Sequence, residues 1–192
     1  LFASKPVGVL ALQGDFAEHL SVLERLGIAV IEVRKGSELD SVSGLIIPGG
    51  ESTTILKLLD RFTLTDSLKR RIAEGMPVFG TCAGAIVLAR ETSDGEPPLG
   101  VLDIEVKRNA YGRQVDSFEA PVVVDGIGVI EGVFIRAPVI TEVGDDVEVL
   151  ATLDGVPVLV RQGAILASSF HPEMTDESYL HTYFVEMIEE SH

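Results

Sequence analysis

Residues 78–89 read Val-Phe-Gly-Thr-Cys-Ala-Gly-Ala-Ile-Val-Leu-Ala, and the fold is decided here. Val78 and Phe79 lead an apolar strand into Gly80-Thr81-Cys82-Ala83-Gly84, which has the spacing glycine, any residue, nucleophile, any residue, glycine. The small and apolar residues Ala85 to Ala89 then suit a helix that starts at once. A strand, a sharp turn and a helix in that order form an elbow that holds a side chain in a strained turn, and its glycines leave room where strand and helix crowd together. An elbow of this kind sits at the C-terminal end of a strand, where open parallel sheets place their ligands.

The pattern upstream agrees. Residues 7–12 form a short apolar run of the sort buried on both faces of a sheet. Asp15 can cap a helix with the inner stripe Phe16, Leu20, Leu23 and Leu26, closed by Gly27. Strands are expected at 28–33 and 44–47, and helices from Ser52 to Leu59 and Asp66 to Ala73. Strand alternating with helix predicts an α/β fold whose mostly parallel sheet carries helices on both faces. Downstream, 99–107, 120–125, 132–136, 147–153, 156–161 and 164–169 read as strands joined by turns such as Asp125-Gly126 and Asp154-Gly155. Such turns suit antiparallel hairpins, so a mixed sheet is expected. A last helix, Glu177 to Glu190, puts Leu180, Tyr183, Phe184, Met187 and Ile188 on one face. Ser93 to Pro98 reads as the flexible loop. With no repeat and no long linker, residues 1–192 are expected to form a single domain.

Composition narrows the function classes. A net charge of -15 would repel phosphate backbones and anionic lipid, so neither nucleic acid nor a membrane is an expected partner. A single cysteine rules out an internal disulfide and a cysteine-rich zinc site, and suits a reducing, cytoplasmic setting. Leu1 to Pro6 is too short and polar to read as a secretory signal.

A lone cysteine is most often a buried structural residue. The elbow reverses that balance for Cys82, because the N-terminus of the following helix favours a thiolate and the Ala83 N–H can receive an oxyanion. Ser168 to Glu173 reads Ser-Ser-Phe-His-Pro-Glu. Pro172 pushes His171 out of the helical region, so an extended His171 and Glu173 would project to one side. Glu173 then holds one ring nitrogen of His171 and leaves the other for Cys82, which is the logic of a catalytic triad. The histidines at 19, 181 and 192 read as helix-flank or solvent residues, and with no H-E-x-x-H spacing a metal site is not expected. Pro48-Gly49-Gly50-Glu51-Ser52-Thr53-Thr54 links a strand to a helix. It lacks a phosphate-loop pattern, and Glu51 would repel phosphate. Beside the elbow it reads better as the loop whose Gly50 N–H gives the second oxyanion donor than as an ordinary turn.

Taken together, these segments resemble the class I (triad) glutamine amidotransferases. Leu12 to Asp15, Pro48 to Thr54, Gly80 to Gly84, Arg108-Asn109 with Gly112-Arg113-Gln114, Ser117-Phe118, Phe134 to Pro138 and Ser169 to Glu173 are similar to the PdxT family, the glutaminase subunits of pyridoxal 5′-phosphate synthase. The likeness spans about Val7 to Glu189. It implies a flavodoxin-like three-layer fold and no cofactor. It implies hydrolysis of L-glutamine to L-glutamate and ammonia through a cysteine thioester, with substrate contacts from Gly49, Gly50, Glu51, Arg108, Ile135 and Arg136. Paired guanidinium hydrogen bonds make Arg108 and Arg136 plausible carboxylate clamps. The resemblance further implies a barrel-shaped synthase subunit that receives the ammonia for vitamin B6 biosynthesis, with Gln13 near the contact. The residues alone also admit a peptidase or γ-glutamyl hydrolase, and a non-catalytic docking module.

Overall fold

The computed structural model describes residues 5–108 and 117–191. Its first half alternates as the apolar runs require: β1 (Val7–Leu10), α1 (Phe16–Arg25), β2 (Val30–Val33), α2 (Gly36–Leu39), β3 (Gly44–Ile47), α3 (Ser52–Arg61), α4 (Thr65–Ala73), β4 (Val78–Thr81) and α5 (Ala83–Leu88). The second half brings β5 (Ala89–Thr92), β6 (Leu102–Lys107), β7 (Ser117–Val124), β8 (Gly128–Ile135), β9 (Val139–Val143), β10 (Glu148–Leu153), β11 (Val156–Gln162), β12 (Ile165–Ser168), a 3-10 turn at Pro172–Met174 and α6 (Tyr179–Glu190).

Seven strands form the central sheet in the order β10-β11-β12-β4-β3-β1-β2. β12, β4, β3, β1 and β2 are parallel, while β10 and β11 add an antiparallel margin through a hairpin at Asp154-Gly155. Successive residues of a strand face opposite sides, and this sorts the core into two layers. Leu45, Ile47 and Val78 pack with Leu56 and Leu59 of α3, Leu68 of α4 and Val87 of α5. Ile46 and Phe79 pack on the other side with Leu23 of α1 and Leu180, Phe184 and Ile188 of α6. The mixed three-layer fold expected from the sequence is therefore present. Each fully buried Leu, Ile or Phe contributes roughly 1.5–3 kcal/mol of hydrophobic stabilisation.

The later strands are less unified than expected. Among the described residues β7 and β8 pair only with each other, and β6 lies between β5 and β9 in a separate three-stranded sheet. The pattern explains the hairpin: β7 and β8 bury Val122, Val124, Ile130 and Phe134 and leave Val123 and Val129 exposed. One apolar face is enough to cover the α1/α6 side of the molecule, where Phe118 stacks on Phe134 at 4.7 Å, but not to occupy the interior of a sheet. α2, β5 and β9 were not expected. In β5 the charged Arg90 and Glu91 hide the strand signal, and α2 has only four residues.

Candidate active site

β4 ends at Thr81, and the chain reverses into α5 through Cys82, whose φ of 50° and ψ of -105° are strained for a residue with a side chain. Close packing enforces the glycines on either side. A Cβ on Gly84 would lie 2.1 Å from the Ile47 carbonyl oxygen, and one on Gly80 would lie 2.6 Å from the backbone of Gly84. The Cys82 N–H donates to the Ser168 carbonyl at 2.8 Å, joining the elbow to the end of β12. Ser168 pairs with Thr81 in the sheet register, so the strand that delivers the cysteine is the direct neighbour of the strand that delivers His171.

His171 has φ -105° and ψ 89°, outside the helical region as Pro172 requires. The expected extended His-Pro-Glu is corrected here, because Pro172–Met174 forms one 3-10 turn begun by its proline. The turn still brings the side chains together, with His171 Nδ1 2.7 Å from Glu173 Oε1 and both residues buried. The backbone N–H of His171 donates to the Val133 carbonyl at 2.8 Å, so β8 holds the backbone that carries the ring. With Nδ1 engaged, Nε2 is left for the cysteine. Burial opposes a charged His171, but hydrogen bonds and charge from Cys82 and Glu173 outweigh it and push its pKa up to about 10. Burial raises the pKa of Glu173, and its bond to His171 pulls the other way. The thiol also reaches the Ile135 carbonyl, at 3.8 Å. Its one proton can serve Ile135 or pass to His171, and the second choice leaves a thiolate beside an imidazolium.

The sulfur opens into a cleft of about 410 Å³ lined by Gly50, Glu51, Ala83, Arg108, Ile135 and Arg136 among others. Ala83 is the first residue of α5, so its N–H has no acceptor within the helix. Gly50 has φ 149°, and the Glu51 N–H beside it donates to Gln13 Oε1 at 2.8 Å. Arg108 is largely buried and braced by Thr53 at 3.0 Å and Asp94 at 3.9 Å, whereas Arg136 stands exposed at the rim with φ 42°. Gly49 does not line the cleft. It is buried, and a Cβ there would meet the His171 ring at 2.5 Å. Asn109, Gly112, Arg113 and Gln114, quoted above for the family likeness, lie outside the described residues, as does His192.

With this geometry in place, comparison with known families gives a match over almost the full chain: the model of the SNO glutamine amidotransferase family covers residues 9–190. The chain belongs to that family. The PdxT subunit of pyridoxal 5′-phosphate synthase from a strain of Thermus thermophilus is 58% identical over 184 residues, covering 94% of this chain and 96% of that one. A crystal structure of a glutamine amidotransferase aligns with TM-score 0.92 and 56% identity, covering 95% and 98% of the two chains. PurLQS from Thermotoga maritima aligns with TM-score 0.69 over 97% of each chain, and at 17% identity it attests the fold alone.

Within this amidotransferase, three residues depart from their sequence reading. Asp15 precedes α1, but its side chain makes no cap hydrogen bond; its Oδ2 lies 3.7 Å from His171 Nδ1, and burial raises its pKa against the opposing pull of that histidine. His19 and His181 are not at a solvent flank: both are wholly buried. The signal was available, since His19 falls three residues after Phe16 and four before Leu23, and His181 three before Phe184. Asp15, His171 and Glu173 bring donor atoms within 4.8 Å of one another. Glu173 already holds the nitrogen that a metal would need, so we assign no ligand there.

Proposed function

We propose that this family member is the glutaminase subunit of a pyridoxal 5′-phosphate synthase, with the described chain serving as one catalytic domain. The supporting observation is Cys82 on its strained elbow, facing a buried His171 that Glu173 holds at 2.7 Å. The Cys82 thiolate adds to the side-chain carbonyl carbon of glutamine, forming the C–S bond while the N–H groups of Gly50 and Ala83 receive the oxyanion. As the intermediate collapses, the C–N bond breaks and the Nε2 proton of His171 goes to the departing nitrogen, releasing ammonia and leaving a thioester. Neutral His171 then takes a proton from water, whose oxygen attacks the thioester. The C–S bond breaks, glutamate leaves and the thiolate–imidazolium pair is restored.

Arg108 and Arg136 both line the cleft and suit the substrate carboxylate. Glu51 and the Ile135 carbonyl suit its ammonium, and Gly49 and Gly50 shape the loop beneath. The ammonia passes to a barrel-shaped synthase subunit docked over the Gln13–Glu51 contact. No helix among the described residues is long and apolar enough to cross a membrane, and the lone cysteine and strong acidity support a cytoplasmic enzyme that binds neither membrane nor nucleic acid.

The deciding experiment measures ammonia release from free glutamine, with γ-glutamyl and peptide substrates alongside, in the presence of the synthase subunit. Wild type should act on glutamine, Cys82→Ala should be inactive yet folded, and a glutamine-mimicking electrophile should label Cys82. Turnover retained in Cys82→Ala, or preference for a peptide, refutes the reading.

A further inference from the structure

Behind the His171–Glu173 pair runs a buried polar chain that the reaction as written does not use. His19 on α1 has Nδ1 2.9 Å from His181 Nε2 on α6, and Nε2 3.1 Å from the hydroxyl of Thr81. The same Nε2 lies 3.5 Å from Glu173 Oε2, the carboxylate oxygen that His171 leaves unpaired. The side chains of His19 and Glu173 have no solvent exposure, so their polar atoms have only each other and their protein neighbours to satisfy them.

The distances admit two neutral arrangements. In one, His19 carries its proton on Nδ1 and donates to His181. His19 Nε2 then turns a lone pair toward Glu173 Oε2, and His181 must carry its own proton on Nδ1, a buried atom with no partner. In the other, His181 donates from Nε2 to His19 Nδ1, and the His19 Nε2–H points between Thr81 Oγ1 and Glu173 Oε2. The unpartnered His181 Nδ1 is then only an acceptor, and a buried N–H without an acceptor is the rarer and costlier defect. Both ends of the chain thus select the second arrangement. Burial, with His181 and His171 nearby, holds the pKa of His19 well below the ordinary histidine value, so the ring is a neutral donor and does not compete with His171 for the charge of Glu173.

We propose that His19, fixed by His181 as its Nε2–H tautomer, is a positioning residue that locks Glu173 against His171 and ties that carboxylate through Thr81 to the nucleophile's own strand. Two rings from helices on one face of the sheet thereby set the rotation of the carboxylate, and Thr81 directly precedes Cys82. The proposal rests on the glutaminase reading above for its kinetic consequence, and on the hydrogen-bond chain alone for its tautomers.

Long-range proton–nitrogen NMR of the full-length, nitrogen-labelled protein near neutral pH reads the tautomers without turnover. His19 and His181 should both appear as neutral Nε2–H rings; a His19 protonated on Nδ1, or on both nitrogens, overturns the proposal. In parallel, glutamine hydrolysis is measured with the synthase subunit present. His19→Leu should lower kcat about tenfold or more, the scale of one hydrogen bond to a charged group, with KM nearly unchanged. His19→Gln, which returns an N–H near the same place, should recover most of the loss. Equal losses in the two variants, or an unaffected kcat in His19→Leu, refute a positioning role. If His19→Leu fails to fold, the spectrum and the activity of His19→Gln decide instead. A wild-type chain inactive on glutamine would sink the glutaminase reading, while the spectrum still judges His19.

Discussion

Gly84→Ala sets two effects against each other, and the structure decides the sign. Alanine in place of glycine favours a helix by about 1 kcal/mol, so the second residue of α5 looks like a site for stabilisation. The added Cβ, however, would sit 2.1 Å from the carbonyl oxygen of Ile47 and 2.9 Å from its carbon. These are backbone atoms of β3, locked between β1 and β4, and no rotamer change can clear them. Reaching the 3.4 Å of ordinary contact requires α5 to recede by about 1.3 Å. Overpacking of this kind costs roughly 1–3 kcal/mol, so the net change should be destabilising. The shift also displaces Ala83 and Cys82 relative to His171, and a displacement of about 1 Å costs on the order of 10²-fold in rate. Urea unfolding should therefore show a lower midpoint, and ammonia release from glutamine should show kcat down about a hundredfold in the folded variant. Gly36→Ala is the control, because nothing lies within 4 Å of its Cβ and its φ is unstrained; it should be neutral or stabilise by about 0.4–1 kcal/mol. A Gly84→Ala protein with wild-type midpoint and wild-type kcat would refute the claim that this contact sets the elbow.

Two further outcomes are expected. Cys82→Ala removes hydrogen-bond and charge contributions that raise the pKa of His171 while leaving burial in force, so the value should fall from about 10. NMR titration of the ring reads this directly, and an unchanged value would contradict the pairing. The sign for stability follows: His171 stabilises the wild-type fold fully below its ordinary value of 6.5, and the contribution is lost as pH rises through about 10. Arg108→Gln should raise KM for glutamine far more than it lowers kcat if, as proposed, the guanidinium binds the carboxylate and does not meet the reacting carbon; a loss confined to kcat would exclude that role.

The elements that position the chemistry were readable because their signals are local. Val-Phe-Gly-Thr-Cys-Ala-Gly names its own strand, turn and helix, and His-Pro-Glu fixes its pair within three residues. The surroundings were harder to read because each depends on a partner distant in the chain. His19 carries the right helical spacing, but only the approach of α6 and of Thr81 shows why an imidazole belongs on an apolar stripe. Asp15 fits the pattern of a helix cap, and its side chain is drawn away by a histidine more than 150 positions further on. Strands at 120–125 and 132–136 were legible, short of the observed starts at Ser117 and Gly128, while the sheet they form was not, since alternation reports how many faces are buried and not against what.

The sheet register also orders events in time. β4 leaves the ribosome well before β12, and β12 alone carries His171 to its place beside the elbow. During synthesis Cys82 therefore exists without the histidine, and the newborn chain brings His171 beside it only when β12 slots in between β4 and β11. If Cys82 is the proposed nucleophile, insertion of that one strand and arming of the thiol are a single event.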